Sequence, residues 1–231
     1  MVPPREQLDV LFEDNHLLAV NKPAGLATMG VAGDRPSVLS VAKAYIGQKY
    51  QKQGNVYLGV VSRLDAPVTG VLLMARTTKA AGRLNQQFRD HRVEKVYWAV
   101  VEGEVEADEQ KLTHYLRKDE RHRKMHTTAA NTPGAVEAVL SFRSLNRRDG
   151  QTWLEVFPQT GRKHQIRVQL AKIGYPIFGD RKYGSRVGWT NSIALHAYRL
   201  VIEHPVKKTV VEFKAEPPPS WNRLKVVARP E

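Results

Sequence analysis

The chain has 231 residues and is 42% hydrophobic, so its composition excludes a disordered protein and its length allows an ordinary hydrophobic core. Lysine and arginine number 36 against 23 aspartate and glutamate residues, which gives a net charge of +13 and a pI near 10.0. This positive balance favours nucleic-acid binding through phosphate contacts over an anionic membrane surface, with a charged surface for solubility as the plain alternative.

The sequence contains no cysteine, which excludes disulfides, thiolate zinc sites and cysteine nucleophiles. No stretch approaches the ~18 apolar residues of a membrane span. Residues 1–7 carry two prolines and no apolar core, so they do not have the pattern of a secretion signal. We therefore expect a cytoplasmic protein without a membrane partner.

The chain opens with two short β-favouring runs, 8–12 and 17–21, joined by a polar segment. This pattern predicts a hairpin. The next stretch places Lys22 beside a loop in which Pro23 fixes one backbone angle and Gly25 can adopt positive φ. The loop is therefore predicted to have a defined shape next to a lysine.

Ser37 can cap a helix whose apolar residues follow at helical spacing. Residues 60–74 then place Arg63 and Asp65 between two apolar runs that are typical of buried strands. Because Ala66 precedes a proline, it favours an extended conformation, and Asp65 is expected on a turn next to a strand. Turns at the edge of a rigid sheet are where catalytic groups commonly lie.

Thr77 or Thr78 can cap a second helix, and residues 95–103 form a β-branched and aromatic run that predicts a strand. Residues 108–132 have few apolar residues and predict an RNA-facing loop or flap. The basic residues of this segment are His114, Arg117, Lys118, Arg121, His122, Arg123, Lys124 and His126. His122 and His126 are spaced as on a helix, but no carboxylate lies between them and no third ligand is in register, so we predict no metal site.

Two β-favouring runs flank the dipeptide Asp149-Gly150, which is a strong hairpin signal. Thr160 is predicted to cap a third helix that ends near Gly174, ahead of a proline. Alternating apolar residues over 193–213 then predict a closing hairpin.

Three stretches carry the residues that point to a chemistry. They are Arg63-Leu64-Asp65, Lys95-Val96-Tyr97 and Gly161-Arg162-Lys163-His164-Gln165-Ile166-Arg167. Two further stretches accompany them, Asn21-Lys22-Pro23-Ala24-Gly25 and Gly174-Tyr175-Pro176-Ile177-Phe178-Gly179-Asp180-Arg181-Lys182-Tyr183-Gly184. In order and spacing, the five stretches resemble the RluA-type pseudouridine synthases, from about residue 8 to about residue 215.

The resemblance implies an enzyme that isomerises uridine to pseudouridine in ribosomal or transfer RNA, without a cofactor or a metal. It implies an α+β fold with a mixed, mostly antiparallel bent central sheet, flanking helices and loops, and an active-site cleft at the centre. We expect one catalytic domain over residues 1–231 with no separate N-terminal RNA-binding domain. We also expect a monomer whose basic segment supplies the affinity for RNA.

The resemblance also assigns roles to residues. Asp65 matches the catalytic aspartate, a nucleophile that acts either at the ribose anomeric carbon or through a glycal intermediate. Tyr97 matches the tyrosine that stacks on the target base and is a candidate for removing the proton at C5. Arg167 matches the basic residue paired with the aspartate, and Ile166 the apolar residue packed against the base. Arg63 is expected to hold the RNA backbone or to fill the vacated position of the base.

Further substrate contacts are expected from Lys22, Arg162 and His164, which are basic residues of the matched stretches. The chain departs from the family pattern at Ser62, where the family usually has histidine, and at Gln169, where histidine is common. It also has Pro67-Val68-Thr69-Gly70 where the family usually has Thr-Ser-Gly. None of these departures affects the aspartate, the tyrosine or the arginine.

Two other functions fit parts of the pattern. A non-catalytic RNA-binding module would need the positive charge but not an aspartate, a tyrosine and an arginine in this order. An RNA glycosidase would need a second acidic residue near Asp65, and the three stretches contain none. The motifs therefore favour the synthase.

Overall fold

The computed structural model describes residues 8–30, 35–122, 124–189 and 191–227. They form two compact units, the first from Met1–Glu94 and Ala197–Pro217 and the second from Lys95–His196 and Pro218–Glu231. The features expected of residues 1–7 lie outside the described residues. The single catalytic domain expected over residues 1–231 stays a prediction.

The strands in chain order are β1 (Val10–Glu13), β2 (Leu17–Lys22), β3 (Gly59–Val60), β4 (Thr69–Ala75), β5 (Glu94–Glu102), β6 (Glu109–Asp119), β7 (Lys124–Thr128), β8 (Val136–Arg148), β9 (Gln151–Pro158), β10 (Leu195–Glu203) and β11 (Val210–Lys214). The helices are α1 (Val38–Lys49), α2 (Thr78–Arg89) and α3 (Gln165–Lys172). Short 3-10 turns cover Arg181–Tyr183 and Pro219–Arg223. In the described part of the chain, no helix is both long and apolar enough to cross a membrane.

The first unit is built around β2 and β4, which pair antiparallel from Leu17 opposite Ala75 to Lys22 opposite Gly70. The strand order is β1-β2-β4-β10, while β3 pairs with β4 and β11 with β10. Every residue of β4 is buried, which explains why its residues from Val71 to Ala75 are all apolar instead of alternating with polar ones. The predicted opening and closing hairpins are both confirmed.

Helices α1 and α2 begin where their capping residues predicted. The Ser37 side chain accepts a hydrogen bond from the Ser40 N–H, and the Ser40 side chain accepts one from the Ser37 N–H in return. The Thr77 side chain accepts from the Ala80 N–H at the start of α2. Both helices therefore satisfy backbone donors that their first turns leave without a partner.

The second unit has the strand order β5-β9-β8-β6-β7, and its described ladders are antiparallel. Buried and half-buried residues alternate along β9, as expected for a sheet with one covered face. Asp149 and Gly150 both have positive φ, 53° and 69°, so the predicted hairpin between β8 and β9 is confirmed. Antiparallel strands and a few helices in the described residues confirm the α+β class, while the central cleft stays a prediction.

The basic segment is more ordered than the sequence indicated, because β6 and β7 pair over Tyr115–Asp119 as a hairpin. A loop was predicted because the segment has few apolar residues, but a hairpin at the edge of a sheet needs only a few of them. Leu116 and Met125 are buried with Ala138 and Val168, and this small cluster anchors the hairpin. Arg123, one of the basic residues of this segment, lies outside the described residues.

The predicted start of the third helix is wrong. Helix α3 begins at Gln165, preceded by His164 in the left-handed conformation with φ 53°. The Thr160 hydroxyl instead accepts from the Val139 N–H at 2.9 Å and donates to the Gln165 side-chain oxygen at 2.7 Å. The predicted end is confirmed, because the helix stops at Lys172 and Gly174 follows with φ 91°.

Candidate active site

The loop that carries Asp65 lies between β3 and β4 in the first unit. On its N-terminal side, the hydroxyl of Thr28 accepts from the Leu64 N–H at 3.1 Å and donates to the Leu64 carbonyl at 2.8 Å. On its C-terminal side, the Val68 N–H donates to the Asp65 carbonyl at 3.0 Å and closes a turn. The half-buried Asp65 side chain is therefore attached to a loop whose backbone is held by hydrogen bonds on both sides of the residue.

Lys22 and Gly25 hold the residue that follows the aspartate. The Ala66 carbonyl accepts from the Gly25 N–H at 2.8 Å and from Lys22 Nζ at 3.0 Å. Lys22 Nζ also donates to the carbonyls of Pro23 and Leu26, at 2.7 Å each. Three carbonyls match the three donors of an ammonium group, so Lys22 joins the end of β2 to the Asp65 loop.

Lys22 has no exposed surface. Burial lowers the pKa of its amine to about 7, and the negative charge of Asp65 opposes that shift. Its three hydrogen bonds all go to backbone carbonyls, which gives Lys22 a role in holding the loop. The predicted contact of Lys22 with RNA stays a prediction.

Gly70 allows β4 to begin directly after the Asp65 turn. Its φ is 108°, and a Cβ at this position would lie 2.3 Å from the Ala197 carbonyl oxygen. Any side chain would therefore collide with backbone that belongs to the same unit. Glycine is therefore required at position 70 for a steric reason that the sequence motif did not reveal.

In the second unit, α3 carries Ile166 and Arg167, which are only 7% and 5% exposed. The Arg167 guanidinium forms a two-point ion pair with Asp180, with Nε 2.6 Å from Oδ2 and Nη2 2.9 Å from Oδ1. Its central carbon also lies 5.0 Å from the centre of the Tyr183 ring. Asp180 and Tyr183 lie in a stretch that the family resemblance included, but their contact with Arg167 was not predicted.

Tyr97 lies in β5, opposite Val156 of β9. Its side chain is half-buried, whereas Ala99, Val100 and Val101 of the same strand are fully buried. The ring thus projects from a strand that is fixed by packing on both faces.

The remaining predicted residues differ in exposure. Arg162 is exposed, and its Nε donates to the Glu137 carbonyl at 2.9 Å. His164 is half-buried, with Nδ1 2.7 Å from the Tyr183 hydroxyl. Arg63 is exposed on the Asp65 loop.

The predicted site residues fall into two groups. The first unit brings together Asp65, Lys22 and Arg63, and the second contains Tyr97, Arg162, His164, Ile166 and Arg167. The predicted pair of Arg167 with Asp65 joins a residue of each unit and stays a prediction. No group of three or more histidine, aspartate or glutamate side chains among the described residues is arranged to hold a metal ion.

Comparisons with known proteins address the chain as a whole. A family model described as RNA pseudouridylate synthase matches residues 16–172. The chain is 32% identical over 227 residues to the uncharacterized RNA pseudouridine synthase YhcT of Bacillus subtilis, covering 97% of this chain and 73% of that protein. It is 32% identical over 228 residues to the ribosomal large subunit pseudouridine synthase D of Zymomonas mobilis, covering 94% and 71%. The fold is similar to human RNA pseudouridylate synthase domain containing 4, with a TM-score of 0.78, 23% identity and coverage of 95% and 94%.

Proposed function

This chain belongs to the RNA pseudouridylate synthase family, and from that premise we propose that it isomerises uridines of ribosomal or transfer RNA with Asp65 as the nucleophile. It is an enzyme, a pseudouridine synthase that acts on RNA. The observation that carries the proposal is the Asp65 loop. Four hydrogen bonds from Thr28, Gly25 and Lys22 fix the residues on either side of this carboxylate.

The proposed reaction begins at the glycosidic bond between uracil N1 and the ribose anomeric carbon. Asp65 either attacks that carbon or assists formation of a glycal, and in both routes uracil is detached. The ring then rotates, and a bond forms between its C5 and the anomeric carbon. In the first route the bond from Asp65 to that carbon breaks, and in the second the ribose C2′ regains the proton that it lost when the glycal formed. The proton on C5 leaves, and N1, which has lost its bond to the ribose, takes up a proton. Atoms are conserved, so the product is an isomer of the substrate.

Tyr97 and Ile166 are proposed to contact the target base. An aromatic face stacks on any base, and a base in structured RNA must leave its stack to be reached. The half-buried ring of Tyr97 on a rigid strand supports stacking, and its hydroxyl is the proposed acceptor of the C5 proton. Ile166 at the start of α3 supplies the apolar surface.

Arg167 is proposed to keep the nucleophilic carboxylate ionised. A guanidinium near a carboxylate stabilises its charged form in a site that excludes water. A guanidinium has five N–H donors, and Asp180 accepts from two of the groups that carry them. Asp65 is proposed as a further carboxylate partner of this guanidinium.

RNA affinity is proposed to come from the positive surface of the same chain. The net charge of +13 supports phosphate binding, and Arg117, Lys118 and Arg121 are exposed on the β6–β7 hairpin. The name of the Zymomonas mobilis relative specifies the ribosomal large subunit, which supports ribosomal RNA as one substrate class. A single catalytic domain, a monomer and a cytoplasmic location complete the proposal.

The test is tritium release from C5-labelled uridine in total cellular RNA, with native protein, Asp65→Ala and Asp65→Asn. Native protein should release tritium, and both variants should be slower by at least ~1,000-fold, as expected for loss of a nucleophile. Asp108→Ala is the matched control, because its carboxylate is 87% exposed and forms an ion pair with Arg147 at the surface. RNA binding by the Asp65 variants should be nearly unchanged, since a cleft carboxylate contributes little attraction to phosphate.

Three outcomes would overturn the proposal. Full activity of Asp65→Ala would remove the nucleophile. No release by the native protein, with RNA bound normally, would favour a binding module without catalysis. Free uracil in place of pseudouridine would indicate a glycosidase.

A further inference from the structure

Tyr183 contacts three residues of the second unit at once, one in β7 and two at the start of α3. Its hydroxyl accepts from the Met125 N–H of β7 at 2.9 Å and lies 2.7 Å from Nδ1 of His164. The ring faces the guanidinium of Arg167 at 5.0 Å. We propose that Tyr183 is a positioning residue that holds Arg167 and also fixes the basic β6–β7 hairpin on the helix that carries Arg167, a role that rests on the proposed function.

The Arg167 side of this role comes from one short turn. Asp180 precedes the 3-10 turn Arg181–Tyr183, and the Tyr183 N–H donates to the Asp180 carbonyl at 3.0 Å. The turn therefore presents a carboxylate that binds the guanidinium at two points and an aromatic ring over which the guanidinium carbon lies. The two contacts restrict the guanidinium in different ways, because the ion pair directs its N–H groups and the ring limits its displacement.

The hairpin side of this role comes from the position of β7. This strand has five residues and lies at the edge of the sheet, beside β6. Met125 is buried in the small cluster with Leu116, Ala138 and Val168, and the Tyr183 ring packs against that cluster. The hydroxyl of Tyr183 thus adds a directed bond to an edge strand that is also held by its pairing with β6 and by a small apolar cluster.

The hydrogen-bond capacity of the hydroxyl makes both of its partners dependent on it. A phenol has one donor and two acceptor lone pairs. Met125 N–H uses an acceptor position, so the hydroxyl hydrogen is available to the ring nitrogen of His164. Removal of this single oxygen leaves a backbone N–H and an imidazole nitrogen without this partner.

This arrangement has a signature that a merely structural residue would lack. Tyr183 is neutral, so replacing it by another neutral residue removes no charge. The salt dependence of RNA binding counts the phosphates that the protein neutralises. A neutral substitution at position 183 should therefore alter the salt dependence only by displacing cations elsewhere, such as Arg117 and Lys118 of the hairpin.

The experiment compares Tyr183→Phe, which keeps the ring, with Tyr183→Leu, which removes it. Binding of a structured ribosomal RNA fragment is measured over a range of salt concentrations, together with kcat and KM. For Tyr183→Phe, the slope of log affinity against log salt, which is negative, should decrease in magnitude by about 1, the contribution of roughly one phosphate contact. KM should rise by about 3–10-fold, as expected when one buried hydrogen bond is lost.

Tyr183→Leu should show the same loss of slope and a kcat at least ~10-fold below that of Tyr183→Phe, because the guanidinium loses its aromatic face. Tyr57→Leu is the control, since Tyr57 is 45% exposed in the first unit and should leave slope and kcat at native values. Circular dichroism verifies that each variant is folded. If Tyr183→Leu does not fold, Tyr183→Met replaces it, since methionine fills the space with less disruption.

A native salt slope in Tyr183→Phe would overturn the connection to the hairpin. Equal kcat values for Tyr183→Phe and Tyr183→Leu would overturn the connection to Arg167. Arg167→Gln separates this failure from failure of the proposed function. If Arg167→Gln has native kcat, the proposed role of Arg167 is wrong, whereas an inactive Arg167→Gln beside a fully active Tyr183→Leu defeats the role of Tyr183 alone.

Discussion

Asp65 and Arg167 are held in place by two different kinds of contact. The hydrogen bonds around Asp65 reach the backbone of its neighbours, Leu64 and Ala66. The contacts of Arg167 reach its own side chain, through the carboxylate of Asp180 and the ring of Tyr183. One functional group is positioned by the path of its chain, and the other by partners that touch the group itself.

This difference explains which substitutions a sequence can tolerate. A loop that is fixed through backbone atoms accepts different side chains at its other positions, as the departures at Ser62 and Val68 illustrate. A guanidinium fixed through its side chain requires partners of the correct charge and shape. The following substitutions test that difference, beginning with the largest expected effect.

Asp180→Asn should be the most damaging change, because it removes the negative charge of a carboxylate that binds the buried guanidinium of Arg167 at two points. Loss of one member of a buried ion pair costs about 3–5 kcal/mol of the free energy of unfolding. Pseudouridine formation should fall by at least ~100-fold as Arg167 loses its geometry. Urea unfolding and tritium release measure the two effects.

Asp108→Asn is the control for Asp180→Asn. Its carboxylate forms a surface ion pair with Arg147, and such pairs contribute only ~0–1 kcal/mol. Equal stabilities of the two variants would show that Arg167 does not depend on Asp180, and the contrast with Asp65 would disappear.

Thr28→Val tests whether hydrogen bonds to the backbone position Asp65, because valine has nearly the same shape as threonine but no hydroxyl. Thr28 is buried, and its hydroxyl is the partner of both the N–H and the carbonyl of Leu64. Leaving these groups without that partner should lower the free energy of unfolding by about 1–3 kcal/mol. The value of kcat should fall by about 10-fold because the Asp65 loop loosens, while the affinity for RNA stays near native.

Thr28→Ser separates the hydroxyl from the methyl group in this test. Serine keeps the hydroxyl, so its kcat should stay close to that of the native protein. If the valine and serine variants were equally impaired, packing of the methyl group, and not the bonds to Leu64, would position Asp65.

The smallest expected effect is the pH dependence that Lys22 gives to the free energy of unfolding, which Lys22→Met should remove. The folded pKa of Lys22 is about 7, below the ordinary 10.5, so the unfolded chain binds more protons between these values. Stability of the native protein should therefore rise with pH above about 7, by about 1 kcal/mol between pH 6 and pH 8. The variant should lack this rise, and urea unfolding at both pH values measures the difference.

The sign of the Lys22 effect is the discriminating result. Below pH 7 both states hold the proton, so the contribution of Lys22 no longer changes with pH. Identical pH profiles for the native protein and Lys22→Met would mean that Lys22 keeps its proton in the folded state, stabilised by its three carbonyl partners. Arg162→Met is a suitable control, since it removes an exposed cation.

Local chemistry made much of the fold predictable. The caps at Ser37 and Thr77 and the turn at Asp149-Gly150 depend on residues within four positions of one another, and all three are confirmed. Thr160 also has the chemistry of a cap, but its hydroxyl bonds to Val139 of a neighbouring strand. A tertiary contact therefore replaced a local one, which no short sequence pattern can show.

The local geometry around the candidate site residues was predictable to a similar depth. The turn at Asp65 follows from a proline two residues later, and Arg167 follows from the motif around it. The partners Thr28, Asp180 and Tyr183 were not assigned roles, because each contact joins residues that are distant in sequence or held by the packing of α3. Asp180 and Tyr183 lie within the stretch from Gly174 to Gly184 that supported the resemblance. The sequence therefore marked this stretch, but it did not indicate that these residues contact Arg167.

The two units are each assembled from two separate stretches of chain. The first lacks Ala197–Pro217, and with it the strand β11 and most of β10, until the ribosome has passed residue 217. Strand β4 is buried throughout in the finished unit, so the nascent chain exposes an apolar strand during most of its synthesis. The first unit can therefore complete its fold only after residues 197–217 have been synthesised, so its β2–β4 pair has to wait for strands that lie more than 100 residues further along the chain.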